Sequence, residues 1–146
     1  MQQRILLQLN GKNKTPNMKK YLSMMAIAII SVVASYAQTK APEWKEQKQF
    51  YGLISKSFHP AEEGKFAPLK SKADSLTMAA KLWHASPIPS NFKPKETKEN
   101  LEILVKKCVA LQQAVKENKP DAELKKLITD AHDTFHKIVG ECKIDD

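Results

Sequence analysis

The chain has 146 residues, of which 27% are charged and 42% hydrophobic, and its formal net charge is +8. This length fits one compact domain and leaves no room for a second. Five of the basic residues precede Gln38, and without them the net charge falls to +3. The remainder has no arginine and no concentrated basic patch, so we predict no nucleic-acid partner.

The first predicted element is a targeting segment. Residues 18–20 (MKK) form a basic start, and residues 21–33 form an apolar run. Ser35 and Ala37 are small residues that suit signal peptidase, which predicts cleavage before Gln38.

The run is short for a membrane span, and no basic stop-transfer cluster follows it closely, which disfavours an uncleaved anchor. Residues 1–37 are therefore predicted to be an N-terminal extension and cleavable signal peptide, with Met18 a better start than Met1. Residues 38–146 would then be a periplasmic or secreted domain that meets a membrane only through its signal segment.

The first helix of this domain is predicted to open at residues 41–44, where a proline and an acid suit a helix start. We expect it to end at His59 and Pro60, because the residue before a proline avoids the helical region. His59 with Glu62 and Glu63 could form a loop metal site, but a histidine beside acids in a turn is usually a solvated surface group. The inner stripe at helical spacing is Trp44, Gln47, Tyr51, Ile54 and Phe58.

A second helix is predicted over residues 68–84, with Met78 and Leu82 on its outer side. Three prolines make residues 85–95 a stiff, irregular crossing. A third helix follows over residues 95–117. The predicted inner residues of these two helices are Leu69, Ala73, Leu76, Ala80 and Trp83, then Leu101, Leu104, Val105, Cys108, Leu111 and Val115.

Residues 118–121 form a tight turn in which Asp121 is available as an N-cap. The last helix is predicted over residues 124–142. Four amphipathic helices with short turns and no strand pattern predict an all-α fold, an antiparallel up-down-up-down four-helix bundle. The expected core side of the last helix is Leu124, Leu127, Ile128, Ala131, Phe135, Ile138 and Cys142.

The last helix also holds the pattern most suggestive of chemistry, since His132 and His136 are one helical turn apart. Two imidazoles at this spacing lie on the flank of one helix, where they can bind a metal ion or offer one ring to a haem iron. Counting the rise of about 1.5 Å per residue from the turns places His84 near His136 at one end of the bundle and His59 at the other. His84 is therefore a candidate third metal ligand.

The same counting separates Cys108 from Cys142 by roughly 15 Å, more than a disulfide spans. We predict two free thiols, with Cys108 a small buried hydrophobe. A bridge would require the tail after Gly140 to fold back. Cys142 could otherwise form an intermolecular bond or serve as a metal ligand.

Residues 133–138 (DTFHKI) resemble the terminal segment of the soluble periplasmic four-helix cytochrome b and of cytochrome c-prime. The preceding hairpin, residues 101–128, and the proline-rich crossing are similar to that family in length and pattern. The resemblance implies a four-helix fold, haem with His136 as its axial ligand, and a redox partner protein. Residues 132–136 lack the Cys-x-x-Cys-His motif of cytochrome c-prime, and residues 44–59 hold no methionine, so the resemblance implies non-covalent haem b without the usual methionine ligand.

We thus expect an exported bundle that binds haem b through His136, or a transition metal such as zinc or copper through His132, His136 and His84, for electron transfer or metal handling. The alternative is a non-catalytic structural or interaction bundle without a cofactor. An enzyme is not expected, because the chain has no serine-histidine-acid set, phosphate loop or paired inward carboxylates. The sequence leaves a homodimer open.

Overall fold

A computed structural model of the chain describes residues 43–144; the predicted signal peptide and its cleavage site lie outside these residues. Four α-helices follow one another, and each packs against the next, while the first also packs against the last. The predicted all-α four-helix bundle is therefore confirmed. The helices are α1 (Lys45–Glu62), α2 (Ala67–Ala85), α3 (Pro94–Lys116) and α4 (Asp121–Glu141).

The core follows the predicted apolar stripes closely in α2, whose five expected inner residues are all buried, whereas Met78 and Leu82 are exposed. In α3, Leu104 and Leu111 are fully buried. Each such leucine stabilises the fold by about 1.5–3 kcal/mol relative to an exposed position. Within residues 43–144, none of the helices has both the length and the apolar character that crossing a membrane requires.

The inner stripe of α1 differs from the prediction in its first half. Tyr51 is 52% exposed, and the neighbouring Phe50 is fully buried instead. The prediction was wrong because it counted the helical phase from Trp44. Trp44 is buried, but it lies before the first helical residue with extended backbone (φ −83°, ψ 100°), so it does not set the phase of the residues that follow.

The end of α1 also differs, because the helix continues through Pro60 to Glu62. A proline so near the end removes few backbone hydrogen bonds, and the extra turn buries Ala61 completely. The helix ends where Gly64 adopts φ 81°, a left-handed conformation that glycine takes without steric cost. The carbonyl of Pro60 then accepts a hydrogen bond from Lys65 N–H at 2.8 Å.

The N-cap of α4 lies one residue earlier than expected. Pro120 is the N-cap, Asp121 is the first helical residue, and no side chain caps the helix. The Asp121 carboxylate instead accepts a hydrogen bond from Lys70 Nζ on α2 at 2.8 Å. At the other end of α4, Cys142 O accepts a hydrogen bond from Lys93 N–H at 2.8 Å, which ties the tail to the crossing between α2 and α3.

Candidate functional site

Two histidines of α4 form the candidate site. The Nε2 atoms of His132 and His136 lie 3.2 Å apart. The side chain of His132 is 17% exposed, whereas His136 is exposed on the outer flank of the helix. Because the two residues are one turn apart on α4, the Nε2 atoms of both rings point to the same place at the surface.

Phe58 of α1 holds the His132 ring in place. The two rings stack with centroids 3.7 Å apart and an interplanar angle of 11°. On the other side, His136 makes an edge contact with Phe135 at a centroid distance of 5.3 Å. The stacking on Phe58 limits the rotation of His132, so this ring of the pair is preorganised.

The separation of the two nitrogens suits a metal ion. Two ligands at about 2.0–2.1 Å from a tetrahedral zinc ion have nitrogens about 3.3 Å apart. Without an ion, the same distance is a hydrogen bond, in which one Nε2–H donates to the other nitrogen. A divalent ion would replace that single shared proton.

The electrostatics of the pair favour the neutral ring that a metal requires. Burial lowers the pKa of His132, and the positive charge that His136 can carry lowers it further. The carboxylate of Asp133, whose Oδ1 lies 3.9 Å from His132 Nδ1, raises the pKa in opposition. Protons therefore compete less with a metal at His132 than at an unperturbed histidine.

His84 lies apart from this pair. No ring contact joins it to His132 or His136 in the described part of the chain, and its charge acts on the carboxylate of Glu102 instead. Within residues 43–144, no group of three or more histidine, cysteine or acidic side chains is arranged to hold a metal ion. The structure therefore brings together two of the three predicted ligands.

His59 is close to His132, although counting the helical rise placed it at the opposite end of the bundle from His136. The rings of His59 and His132 have centroids 6.2 Å apart. Counting the rise locates only the backbone of each helix, whereas side chains also reach along the axis: Lys125 Nζ in the second turn of α4 donates to Glu62 O at the end of α1, at 3.2 Å. Only the register between α1 and α4 could have revealed this neighbour, and no local pattern encodes it.

Interior aromatic residues lie next to the predicted haem ligand. Phe135, beside His136, packs in the interior against Phe50 and Trp83 with centroids 5.9 Å apart in each case. A haem ligated by His136 would lie outside these rings or would displace them. Among the described residues, His136 offers an imidazole to iron, and the centroid of the Phe135 ring lies 5.3 Å from that of its own ring.

A cavity of about 340 Å³ lies near the start of α1, and no histidine lines it. Trp44 and Phe92 form part of its wall, and the buried Oδ1 of Asn91 has no hydrogen-bond partner there. The cavity therefore shares no lining residue with the site of His132 and His136.

Both cysteines are free, as predicted, and both are buried. Burial raises the pKa of Cys108 to about 12, which makes this thiol a packing residue. Cys142 is only 2% exposed and its sulfur accepts a weak hydrogen bond from Asn100 Nδ2 at 3.7 Å. Because the thiol is buried, the placement of Cys142 does not support an intermolecular bond or a metal ligand at this residue.

Comparisons with protein-family models, with curated proteins and with solved structures found no significant match to this chain. The cytochrome resemblance thus stays a prediction, and the function has to be argued from the geometry of the bundle itself.

Proposed function

We propose that this protein is an exported four-helix bundle that binds a divalent transition-metal ion through Nε2 of His132 and Nε2 of His136. The observation that carries the proposal is the 3.2 Å separation of these nitrogens. Imidazole ligands suit zinc, copper and nickel, and copper(II) binds most tightly among the divalent ions of this series.

A site with two protein ligands at the surface leaves the remaining coordination positions to water or to another molecule. Such a site exchanges its ion more readily than a closed structural site does. Metal handling, meaning binding and release of an ion after export, is the role that this arrangement supports best.

The experiment is isothermal titration of the purified chain with zinc and with copper(II), repeated on His132→Ala and His136→Ala. His84→Ala is the matched control, because it removes a half-buried histidine from the end of α2. We expect saturation at one equivalent in the native protein and in the control, and at least tenfold weaker binding in either α4 variant. Equal affinities in all four proteins would contradict the proposal.

Haemin is the second probe. Stoichiometric binding with a Soret band that His136→Ala abolishes would replace the metal proposal with a b-type haem protein. If neither metal nor haemin saturates, the interaction bundle without a cofactor is the remaining account.

A further inference from the structure

We propose that His59 is a third ligand of the same ion, so that the metal joins α1 to α4. This inference rests on the proposed function, since it extends the pair of His132 and His136. It assigns a site of three imidazoles with one open position, an arrangement that suits zinc.

The distances between the histidine rings are the first support for a third ligand. Three imidazoles around one tetrahedral ion have ring centroids about 5 Å apart, given metal–nitrogen distances of about 2.0–2.1 Å. The centroids of His132 and His136 are 4.5 Å apart, and those of His59 and His132 are 6.2 Å apart. His59 therefore has to approach His132 by about 1 Å, and its ring has to turn toward His136, before all three can bind one ion.

A hydrogen bond of His59 leaves its Nε2 atom available to bind a metal. Its Nδ1 lies 3.1 Å from Glu62 Oε2. Because an ionised carboxylate can only accept, the proton sits on Nδ1, and the neutral ring keeps its lone pair on Nε2. A carboxylate that orients a histidine in this way is the usual support of a metal-bound imidazole.

The surroundings of His59 permit the movement. Its side chain is 59% exposed and that of Glu62 is 48% exposed, so both can rotate without disturbing the core. His132, by contrast, is held against Phe58. Binding is therefore a closure of His59 toward the held ring of His132, because residues 43–144 contain no three-ligand group before that movement.

The closure would have a structural consequence. Among the neighbouring helix pairs, α1 and α4 share the least extensive contact. An ion held by His59 on one side and by His132 and His136 on the other would connect these two helices directly. Metal binding would then stabilise the packing of α1 against α4.

The test is zinc titration by calorimetry on the native chain, His59→Ala, Glu62→Gln and the control His84→Ala. We expect His59→Ala to weaken zinc binding at least tenfold, Glu62→Gln to weaken it by a smaller factor, and His84→Ala to leave it unchanged. Unchanged affinity in His59→Ala, with binding still lost in His136→Ala, would overturn the third ligand and leave the proposed function standing. No zinc binding in the native chain would overturn both.

Amide hydrogen exchange gives a readout that affinity alone does not. In the native chain, saturating zinc should slow exchange both in the last turn of α1 and around His132 in α4. In His59→Ala, saturated at higher zinc, only α4 should be protected. Equal protection of α1 in both proteins would contradict the connection between the helices.

Discussion

At the scale of single residues, His132 is the most constrained of the four histidines. Its ring lies against Phe58, with its Nε2 close to the Nε2 of His136. Burial favours the neutral ring, and the neutral ring is the form that binds a metal. The environment that disfavours protonation of the His132 ring therefore also makes His132 a suitable metal ligand.

This environment predicts that the protein loses stability on mild acidification. Because the pKa of His132 is lowered in the folded state, by burial first and then by the charges of His136 and His59, the unfolded chain binds the proton more tightly. Asp133 and Glu62 oppose the shift without cancelling it. The free energy of unfolding should therefore fall as the pH drops below about 6.5.

Urea unfolding at pH 7.5 and pH 5.5 measures this effect in the absence of metal. In His132→Gln the difference between the two pH values should be smaller than in the native protein. An identical difference in both proteins would show that His132 does not contribute to the pH dependence. This window lies above the range in which the carboxyls with lowered pKa values, such as Glu102, change charge.

Cys108 is predicted to be inert in the folded protein. Its thiol is 1% exposed and burial raises its pKa to about 12, so almost no thiolate is present at neutral pH. Cys142 is also buried. A thiol reagent at pH 7.5 should label neither residue in the native state and both in denaturant; rapid labelling of Cys108 without unfolding would contradict this packing.

At the scale of the helices, the phase of α1 decides which aromatic side chain enters the core. Phe50 is fully buried against Trp83 and Phe135. Tyr51 stacks on Phe135 from outside with centroids 5.7 Å apart. A phase counted from Trp44 gives the opposite assignment.

Two substitutions test whether Phe50 or Tyr51 is the core residue of α1. Phe50→Ala should lower the free energy of unfolding by about 3–5 kcal/mol, because it leaves a cavity in the aromatic core. Tyr51→Ala should lower it by about 1 kcal/mol, the amount expected for an exposed aromatic contact. Denaturant midpoints measure both, and a larger loss for Tyr51→Ala would contradict the phase of α1 described above.

The register between α1 and α4 has consequences beyond packing. The second turn of α4 lies at the end of α1, since Lys125 Nζ reaches Glu62 O. Residues further along α4 therefore meet the last turns of α1, and this brings His59 to His132. An offset of one helical turn, about 5.4 Å, would separate these rings.

At the scale of the whole molecule, apolar periodicity was sufficient to predict the bundle and most of its core. The stripes of α2 and α3 were predicted well because an amphipathic helix must bury its apolar face whatever its neighbours are. Pro60 misled the prediction of where α1 ends, because the burial of Ala61 outweighs a local preference. The pair of His132 and His136 was visible as spacing within one helix.

The remaining part of the site was not visible in the sequence. His59 lies near His132 because two helices that are distant in the chain pack together. His84 lies away from His132 and His136, which is likewise a result of helix packing. Side-chain periodicity indicates which face of a helix is buried, but it does not specify the axial offset between helices. Export of the domain likewise stays a prediction from residues 18–38, which lie outside the described residues.

The most direct measurement is two-bond proton–nitrogen NMR of the histidine rings in the uniformly ¹⁵N-labelled chain during a zinc titration. We expect the ¹⁵N resonances of Nε2 in His132 and in His136 to shift together and to saturate at one equivalent of zinc, while those of His84 do not change. Ring nitrogens that do not respond to zinc, or a response confined to His84, would contradict a metal site on α4.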